Sequence, residues 1–302
     1  MLRLLADSND VTIKETIQFG AKYLAEHQLR SPREDAELLV ASILQRERAF
    51  LYTYPEDRLT SGQQRLFRQW LAKRGQHYPL QYLRGKQEFY GREFLVRPGV
   101  FIPRPETELL LEASLELLEQ NQEEELLIAD VGTGSGCVAV TLACEDPRAR
   151  VAAIDTSSTA LQAARQNAET HRCQDHIQFY EGETLQPLEG QKHRFHLVVS
   201  NPPYVSTLDR GLVDLAVCRY EPDEAVFSGE SGHEMYLQLF QEAGGVLRPE
   251  GKLIVELGWG AADSISRMAE KSGWALEETR KDLAGTDRCM IFEVQRETKP
   301  FF

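Results

Sequence analysis

Apolar residues recur at helical spacing near the start of the chain. Ile13, Ile17, Ala21 and Leu24 fall on one face of a segment ending at His27, the pattern of an amphipathic helix. Ser31-Pro32-Arg33-Glu34 has the composition of a second helix start. It places serine at the cap, proline at the first helical position and glutamate three residues after the cap. Ala36, Leu38, Leu39 and Ile43 would form its buried face. A third helix is expected over Ser61 to Arg74, with Leu66, Phe67 and Trp70 inward. Residues 1–80 therefore predict a small all-α bundle, a docking element or a plain stabilising cap.

The pattern then changes. Phe89-Tyr90-Gly91-Arg92-Glu93-Phe94-Leu95-Val96 is rich in strand formers around a glycine and predicts a hairpin. It sits in an expected linker, residues 81–105, which ends in the extended Ile102-Pro103-Arg104-Pro105. A helix is expected over Glu106 to Glu119. Strand and helix patterns alternate afterwards, with strands at Leu126–Val131, Val151–Ile154, Ile177–Tyr180, Phe195–Ser200, Leu253–Leu257 and Met290–Val294. Such alternation predicts a largely parallel sheet covered on both faces, here a single domain over residues 106–302. Ligands of such sheets sit beyond the carboxyl ends of the strands.

Composition narrows the class. No apolar run approaches the ~20 residues of a membrane span, and the N-terminus turns polar too early for a signal peptide; a cytoplasmic protein is expected. Cys137, Cys144, Cys173, Cys218 and Cys289 form no CxxC pair, so reduced thiols and no metal site are expected. The net charge of -13 is uneven. Residues 1–100 carry 16 Lys/Arg against 12 Asp/Glu, or +4, and residues 101–302 carry 18 against 35, or -17. An acidic field repels nucleic-acid phosphates and makes a protein substrate the more attractive reading.

Two loops carry candidate chemistry. Asp130-Val131-Gly132-Thr133-Gly134-Ser135-Gly136 follows a strand and opens a helix. The glycines allow a tight turn and close approach of a ligand. On its own the loop fits a dinucleotide site or a plain turn. Asp130, ending the strand, suits an ammonium group better than a pyrophosphate. Asp155 ends the next strand, where it can accept both ribose hydroxyl protons. Together they favour a nucleoside with an amino-acid tail, which describes S-adenosylmethionine, with NAD as the alternative. Glu183 and Thr184 follow the third strand, where a side chain could meet adenine or simply face solvent.

Ser200-Asn201-Pro202-Pro203-Tyr204 follows the fourth strand. The prolines stiffen the backbone and leave carbonyls as acceptors, and Asn201 adds a side-chain carbonyl. A planar NH2 group placed there could donate one proton to Asn201 and one to the Pro202 carbonyl, with Tyr204 stacked on its plane. Asn201, Pro202, Pro203 and Tyr204 thus read as a methyl-transfer site. Adenine N6, cytosine N4, guanine N2 and a glutamine amide would all satisfy it.

Several separated motifs resemble the HemK/PrmC family of protein-(glutamine-N5) methyltransferases. Pro79 to Gly85 with Glu88 to Gly91 resembles its linker, and Ile102 to Glu108 its "PRPETE" segment. Asp130 to Gly136, Asn201 to Tyr204 and Tyr220-Glu221-Pro222 resemble its cofactor loop, catalytic loop and EP turn. Ser31 to Leu39 resembles its first-domain pattern, and Asp282 to Gly285 with Arg288 its C-terminal signature. His196 stands where the family often has Asp, and Gly182-Glu183 where it often has Gly-Asp. The resemblance implies a Rossmann-like class I S-adenosylmethionine-dependent methyltransferase domain, an α/β fold, preceded by a small all-α helical bundle. It implies that the substrate is the glutamine of the Gly-Gly-Gln loop in class-I peptide chain release factors, held by Asn201 to Tyr204. It implies that Gly132, Gly134, Gly136, Asp155 and Asn201 bind the cofactor, that the bundle helps dock the release factor, and that His196 is structural. A nucleic-acid exocyclic-amine methyltransferase is the main alternative, and a non-catalytic scaffold a second.

Overall fold

The computed structural model describes residues 11–295, which form two compact units. The first comprises residues up to Gly85 together with Leu215–Tyr220, and the second comprises Lys86–Asp214 and the chain from Glu221 onward. The units divide after Gly85, within the expected 81–105 linker.

The first unit contains α1 (Ile13–Glu26), α2 (Pro32–Leu44), α3 (Arg48–Thr53), α4 (Ser61–Arg74) and α5 (Leu80–Arg84). Its core joins Ile13, Leu24, Ala36, Leu39, Phe67 and Leu71. The capping box expected at Ser31 does not form, because Ser31 makes no side-chain cap bond and Glu34 pairs with Arg48 at 3.1 Å. Capping boxes occur instead at Thr12–Glu15 and Thr60–Gln63. Leu66 is 36% exposed, whereas Gln64 turns inward and donates to the Leu59 carbonyl at 3.0 Å. Residues 215–220, distant in sequence, join this unit as a short helix. Tyr220 donates to the Gln76 carbonyl at 3.0 Å, and its ring lies 4.9 Å from that of Tyr78.

The second unit begins with the hairpin β1 (Lys86–Phe89) and β2 (Arg92–Leu95) and with α6 (Glu108–Gln120). Then follow β3 (Leu126–Val131), α7 (Cys137–Glu145), β4 (Ala149–Asp155), α8 (Ser158–Thr170), β5 (Ile177–Glu181), β6 (Phe195–Ser200), β7 (Leu247–Glu256), β8 (Trp274–Lys281) and β9 (Asp287–Val294). The seven-stranded sheet has the order β5-β4-β3-β6-β7-β9-β8. Its first five strands are parallel, and β9 is antiparallel to both neighbours. One face is covered by α6, α7 and α8, and the other by helices Glu234–Val246 and Ala262–Lys271. This is why β6 is buried along its whole length. The strand β8, absent from the sequence reading, is a polar edge strand with most side chains exposed or half-exposed. The order reverses between β3 and β6, so the loops after those two strands flank the crevice where such sheets bind ligands.

Asn167 on α8 secures this end of the sheet. Its side chain exchanges two hydrogen bonds with the Leu95 backbone, at 2.7 and 3.1 Å, and donates to the Ser135 carbonyl at 2.8 Å. His196 lies at the opposite end of β6. Its Nδ1 accepts from the Leu127 amide at 2.9 Å, a structural role far from Asn201. Among the described residues, no helix is long and apolar enough to cross a membrane, and no cluster of three His, Cys, Asp or Glu could hold a metal. All five cysteines are free.

Candidate active site

The chain must leave β3 and enter α7 within five residues. Gly132, Gly134 and Gly136 take positive φ values of 74°, 56° and 79°, where residues with a Cβ are strained. A Cβ on Gly136 would also lie 2.9 Å from the Cβ of Ala164, so glycine lets α8 approach the turn. A Cβ on Gly132 would point across the crevice toward the Asn201 carbonyl, 3.8 Å away. The amides of Gly132 and Thr133 both donate to the Ile154 carbonyl at 2.9 Å, anchoring the loop to β4.

Asp130 performs a task the sequence did not suggest. Its Oδ2 accepts from the Thr133 hydroxyl at 2.7 Å and from the Ala139 amide at 3.2 Å. It thereby closes the first turn of α7, whose cap residue Gly136 has no side chain to do so. Burial pushes its carboxyl up to about 6, with the nearby charge of Asp155 adding to the effect. Asp155 is held on both sides. Oδ2 accepts from Gly134 N and Oδ1 from Ser157 N, each at 2.8 Å. Burial also raises its carboxyl above the ordinary range. Each oxygen keeps lone pairs for a ligand.

Thr184 is buried, with its backbone in the left-handed region at φ 42°. Its hydroxyl donates to Glu242 and accepts from Gln238 Nε2 at 3.0 Å, so it is already satisfied. Ser135 is also buried, and its Oγ has no hydrogen-bond partner.

On the far side of the crevice, the Ser200 hydroxyl donates to the Val131 carbonyl at 2.8 Å, tying the end of β6 to the end of β3. The Asn201 Nδ2 donates to the Thr107 hydroxyl at 3.0 Å, which leaves Oδ1 as the available end of the amide. Asn201 and Pro203 line the cavity, whereas Pro202 and Tyr204 do not. The Tyr204 ring lies against Gly258, where a Cβ would come within 2.8 Å of it. Burial raises its phenol well above the usual range, and the charge of Glu256 acts in the same direction.

The cavity between these loops measures about 490 Å³, ordinary for a small-molecule site. It receives Asp130, Gly132, Thr133, Gly134, Ser135, Asp155, Glu183, Thr184 and Asn201 of the expected set. Gly136, at the foot of the loop, does not reach it. Its acidic side chains are Asp130, Asp155, Glu183, Glu224 and Glu234, and none of the described residues lining it is Lys, Arg or His. This donor set fits a cationic ligand with hydroxyl groups better than a pyrophosphate, and so favours S-adenosylmethionine over the NAD alternative. Phe101, Pro103 and Thr107 line the cavity as well, and were missed by sequence reasoning. Their segment is fastened by Glu221, which is buried, accepts from Ile102 N at 3.0 Å and pairs with Arg104. The "PRPETE" and EP motifs therefore form one structural lock. Glu256 was missed too, although an acid inside the apolar run Leu253 to Leu257 was a readable signal.

The model of the PrmC N-terminal domain matches residues 15–85, and that of the methyltransferase small domain residues 92–215. A release factor glutamine methyltransferase of Koribacter versatilis (strain Ellin345) is 41% identical over 281 residues, spanning 93% of this chain and 98% of that protein. One from Coxiella burnetii (strain RSA 493 / Nine Mile phase I) is 38% identical, spanning 87% and 92%. Among solved structures, a ribosomal protein L11 methylase from Lactobacillus delbrueckii subsp. bulgaricus gives a TM-score of 0.47 at 18% identity, over 70% of this chain and 90% of that one. That likeness is too distant to bear on function. The identity to the two glutamine methyltransferases, across nearly their whole length, shows that this chain belongs to the release factor glutamine methyltransferase family of S-adenosylmethionine-dependent enzymes.

Proposed function

We propose that this protein methylates the side-chain amide nitrogen of a glutamine in a peptide chain release factor, the Gly-Gly-Gln glutamine of the class-I factors. The observation that carries this reading is the meeting of a cavity whose charged lining residues, among those described, are all acidic with an Asn201 amide whose Oδ1 is the available end. When bound, S-adenosylmethionine supplies an electrophilic sulfonium methyl group.

The chain's own residues then divide the work. Asp155, fixed by two amides, accepts the ribose hydroxyls. Asp130 offers Oδ1 to the ammonium, while Gly132, Thr133, Gly134 and Ser135 form the cradle and Gly136 shapes it. With the Thr184 hydroxyl already engaged, Glu183 is the side chain left to meet adenine. Asn201 Oδ1 accepts one proton of the glutamine amide, and the Pro202 carbonyl accepts the other. Pro203 keeps the turn rigid, and the Tyr204 ring bounds the amide plane from outside the cofactor cavity. Holding two reactants in such geometry can contribute ~7–11 kcal/mol. No strong base is needed: the amide nitrogen would bond to the methyl group as the methyl–sulfur bond breaks, leaving S-adenosylhomocysteine, and would then release its proton to water.

The excess of acid over base beyond residue 100 supports a protein rather than a nucleic-acid substrate. The helical bundle is read as the docking element for the release factor. We take the protein to be a cytoplasmic monomer, one chain supplying the whole site. The test is incubation with methyl-labelled cofactor and, separately, a release factor, stripped RNA and DNA, followed by mass spectrometry of the Gly-Gly-Gln peptide. A gain of one methyl group on glutamine, abolished in Asn201→Ala, is expected. Label in nucleic acid and none in the release factor would overturn the reading.

A further inference from the structure

The loop after β5 is tied to the helix Glu234–Val246 by a small network of side chains. Glu242 Oε2 accepts from the Thr184 hydroxyl and, at 3.0 Å, from the Leu185 amide. Gln238, one turn earlier on the helix, donates from Nε2 to Glu242 Oε1 at 2.9 Å and to Thr184 Oγ1 at 3.0 Å. Gln238 lines the cavity beside Glu183, Thr184 and Met235, whereas Glu242 does not reach it. These partners leave the Gln238 amide a single orientation. A carboxylate only accepts, and the Thr184 hydroxyl has one proton, which goes to Glu242. Both groups therefore require a donor, and both protons of Nε2 are used. Oε1 makes no hydrogen bond among the described residues. It is an acceptor fixed from behind, on a side chain that lines the cavity.

We propose that Gln238 reads the base of the cofactor: its Oε1 accepts a proton of the adenine amino group, and Glu242 is the positioning residue that keeps Oε1 turned toward it. The inference rests on the placement of S-adenosylmethionine given above. With the amino-acid tail at the loop after β3 and the ribose at Asp155 after β4, the base falls at the end of β5, the next strand in the sheet. There Thr184 anchors Gln238. The amino group has two protons, so the exposed Glu183 can take one while Gln238 takes the other. A purine with a keto oxygen in place of the amino group would set acceptor against acceptor. The amide cannot turn to offer its NH2 instead, because Oε1 would then meet the Glu242 carboxylate. A polar site built for one partner rejects the analogue that lacks it.

The substitution Glu242→Gln should reverse this preference from outside the cavity. The Leu185 amide is a fixed donor, so it and the Thr184 hydroxyl hold the carbonyl oxygen of the new side chain. Its NH2 then points at Gln238. Two NH2 groups cannot bond to each other, and Gln238 rotates to accept with Oε1. Its own NH2 now faces the base, where it suits a keto oxygen and opposes an amino group.

The test is calorimetric titration of wild type, Gln238→Met, Glu242→Gln and Glu183→Ala with S-adenosylhomocysteine and with its deaminated counterpart, S-inosylhomocysteine. The readout is the ratio of the two Kd values in one protein, so a general loss of affinity cancels. Wild type should prefer the amino form by about 30-fold, the cost of one unpaired buried acceptor. Gln238→Met, which keeps the length of the side chain and removes its acceptor, should reduce the ratio to about threefold or less. Glu242→Gln should abolish or invert it. A wild type that binds both ligands alike overturns the proposal without any variant. An unchanged ratio in Gln238→Met overturns it too, as does a ratio that falls only in Glu183→Ala. An unchanged ratio in Glu242→Gln overturns the positioning role. No methyl acceptor is present in these titrations. A wild type that leaves release factor unmodified therefore refutes the proposed function instead, and the ratios still decide the reading of the base.

Discussion

Replacing Glu256 by Gln should change how stability depends on pH. Burial raises this carboxyl from 4.5 to about 7 in the folded protein. A raised acid favours folding while it is protonated. Its contribution is fully present below about 4.5 and is lost as pH rises through about 7. With about 1.4 kcal/mol for each pH unit of separation, the full loss is about 3 kcal/mol. Glutamine does not titrate, so the variant escapes that loss. Any constant effect of the new amide adds equally at every pH. Between pH 5 and pH 8 the stability of Glu256→Gln relative to wild type should therefore rise by about 2–3 kcal/mol, or roughly 5–10 °C in Tm for a unit of this size. Thermal unfolding of both proteins across that range measures the difference directly, and every other titrating group cancels. Parallel curves of Tm against pH would refute the claim that Glu256 is held in a desolvated site.

Three further outcomes are expected. Affinity for S-adenosylmethionine should weaken as pH falls through about 6, where Asp130 takes up a proton and loses its attraction for the ammonium; calorimetric titration at pH 5.0 and 7.5 checks this, with up to about tenfold per pH unit expected below that point. Gly136→Ala combines a positive φ with a 2.9 Å approach to Ala164, and should cost about 2–5 kcal/mol in chemical denaturation. Glu221→Ala leaves Arg104 unpaired and the Ile102 amide unsatisfied, and should cost about 3 kcal/mol by the same measurement.

The motif loops were legible because their chemistry is local. Glycines at alternate positions after a strand mark a turn that needs left-handed backbone, and Asp130, Asp155 and Asn201 each lie at or next to the end of a strand of the parallel set. The edge strand β8 was not legible, since exposure on an edge removes the apolar pattern that marks a strand. Leu66, expected inward on α4, is partly exposed while Gln64 turns inward, because the helix is set by what packs on it and the Leu59 carbonyl offers Gln64 a buried partner. The same holds for Ser31, whose expected capping partner Glu34 is drawn to Arg48.

Sequence by itself determined the class of fold, and it marked the strand ends as candidate sites and suggested a planar-nitrogen reading of the Asn201 loop. These follow from periodicity, backbone restriction and side-chain type, which are properties of short segments. Tertiary structure alone decided that Asp130 also closes the first turn of α7, that Tyr204 and Pro202 stand outside the cofactor cavity, and that the cavity carries five carboxylates and no cation among its described lining residues. It alone joined Thr107 to Asn201, 94 positions apart in the chain. Which side chains share a desolvated space depends on strand order and register, and those are settled only when the whole sheet packs.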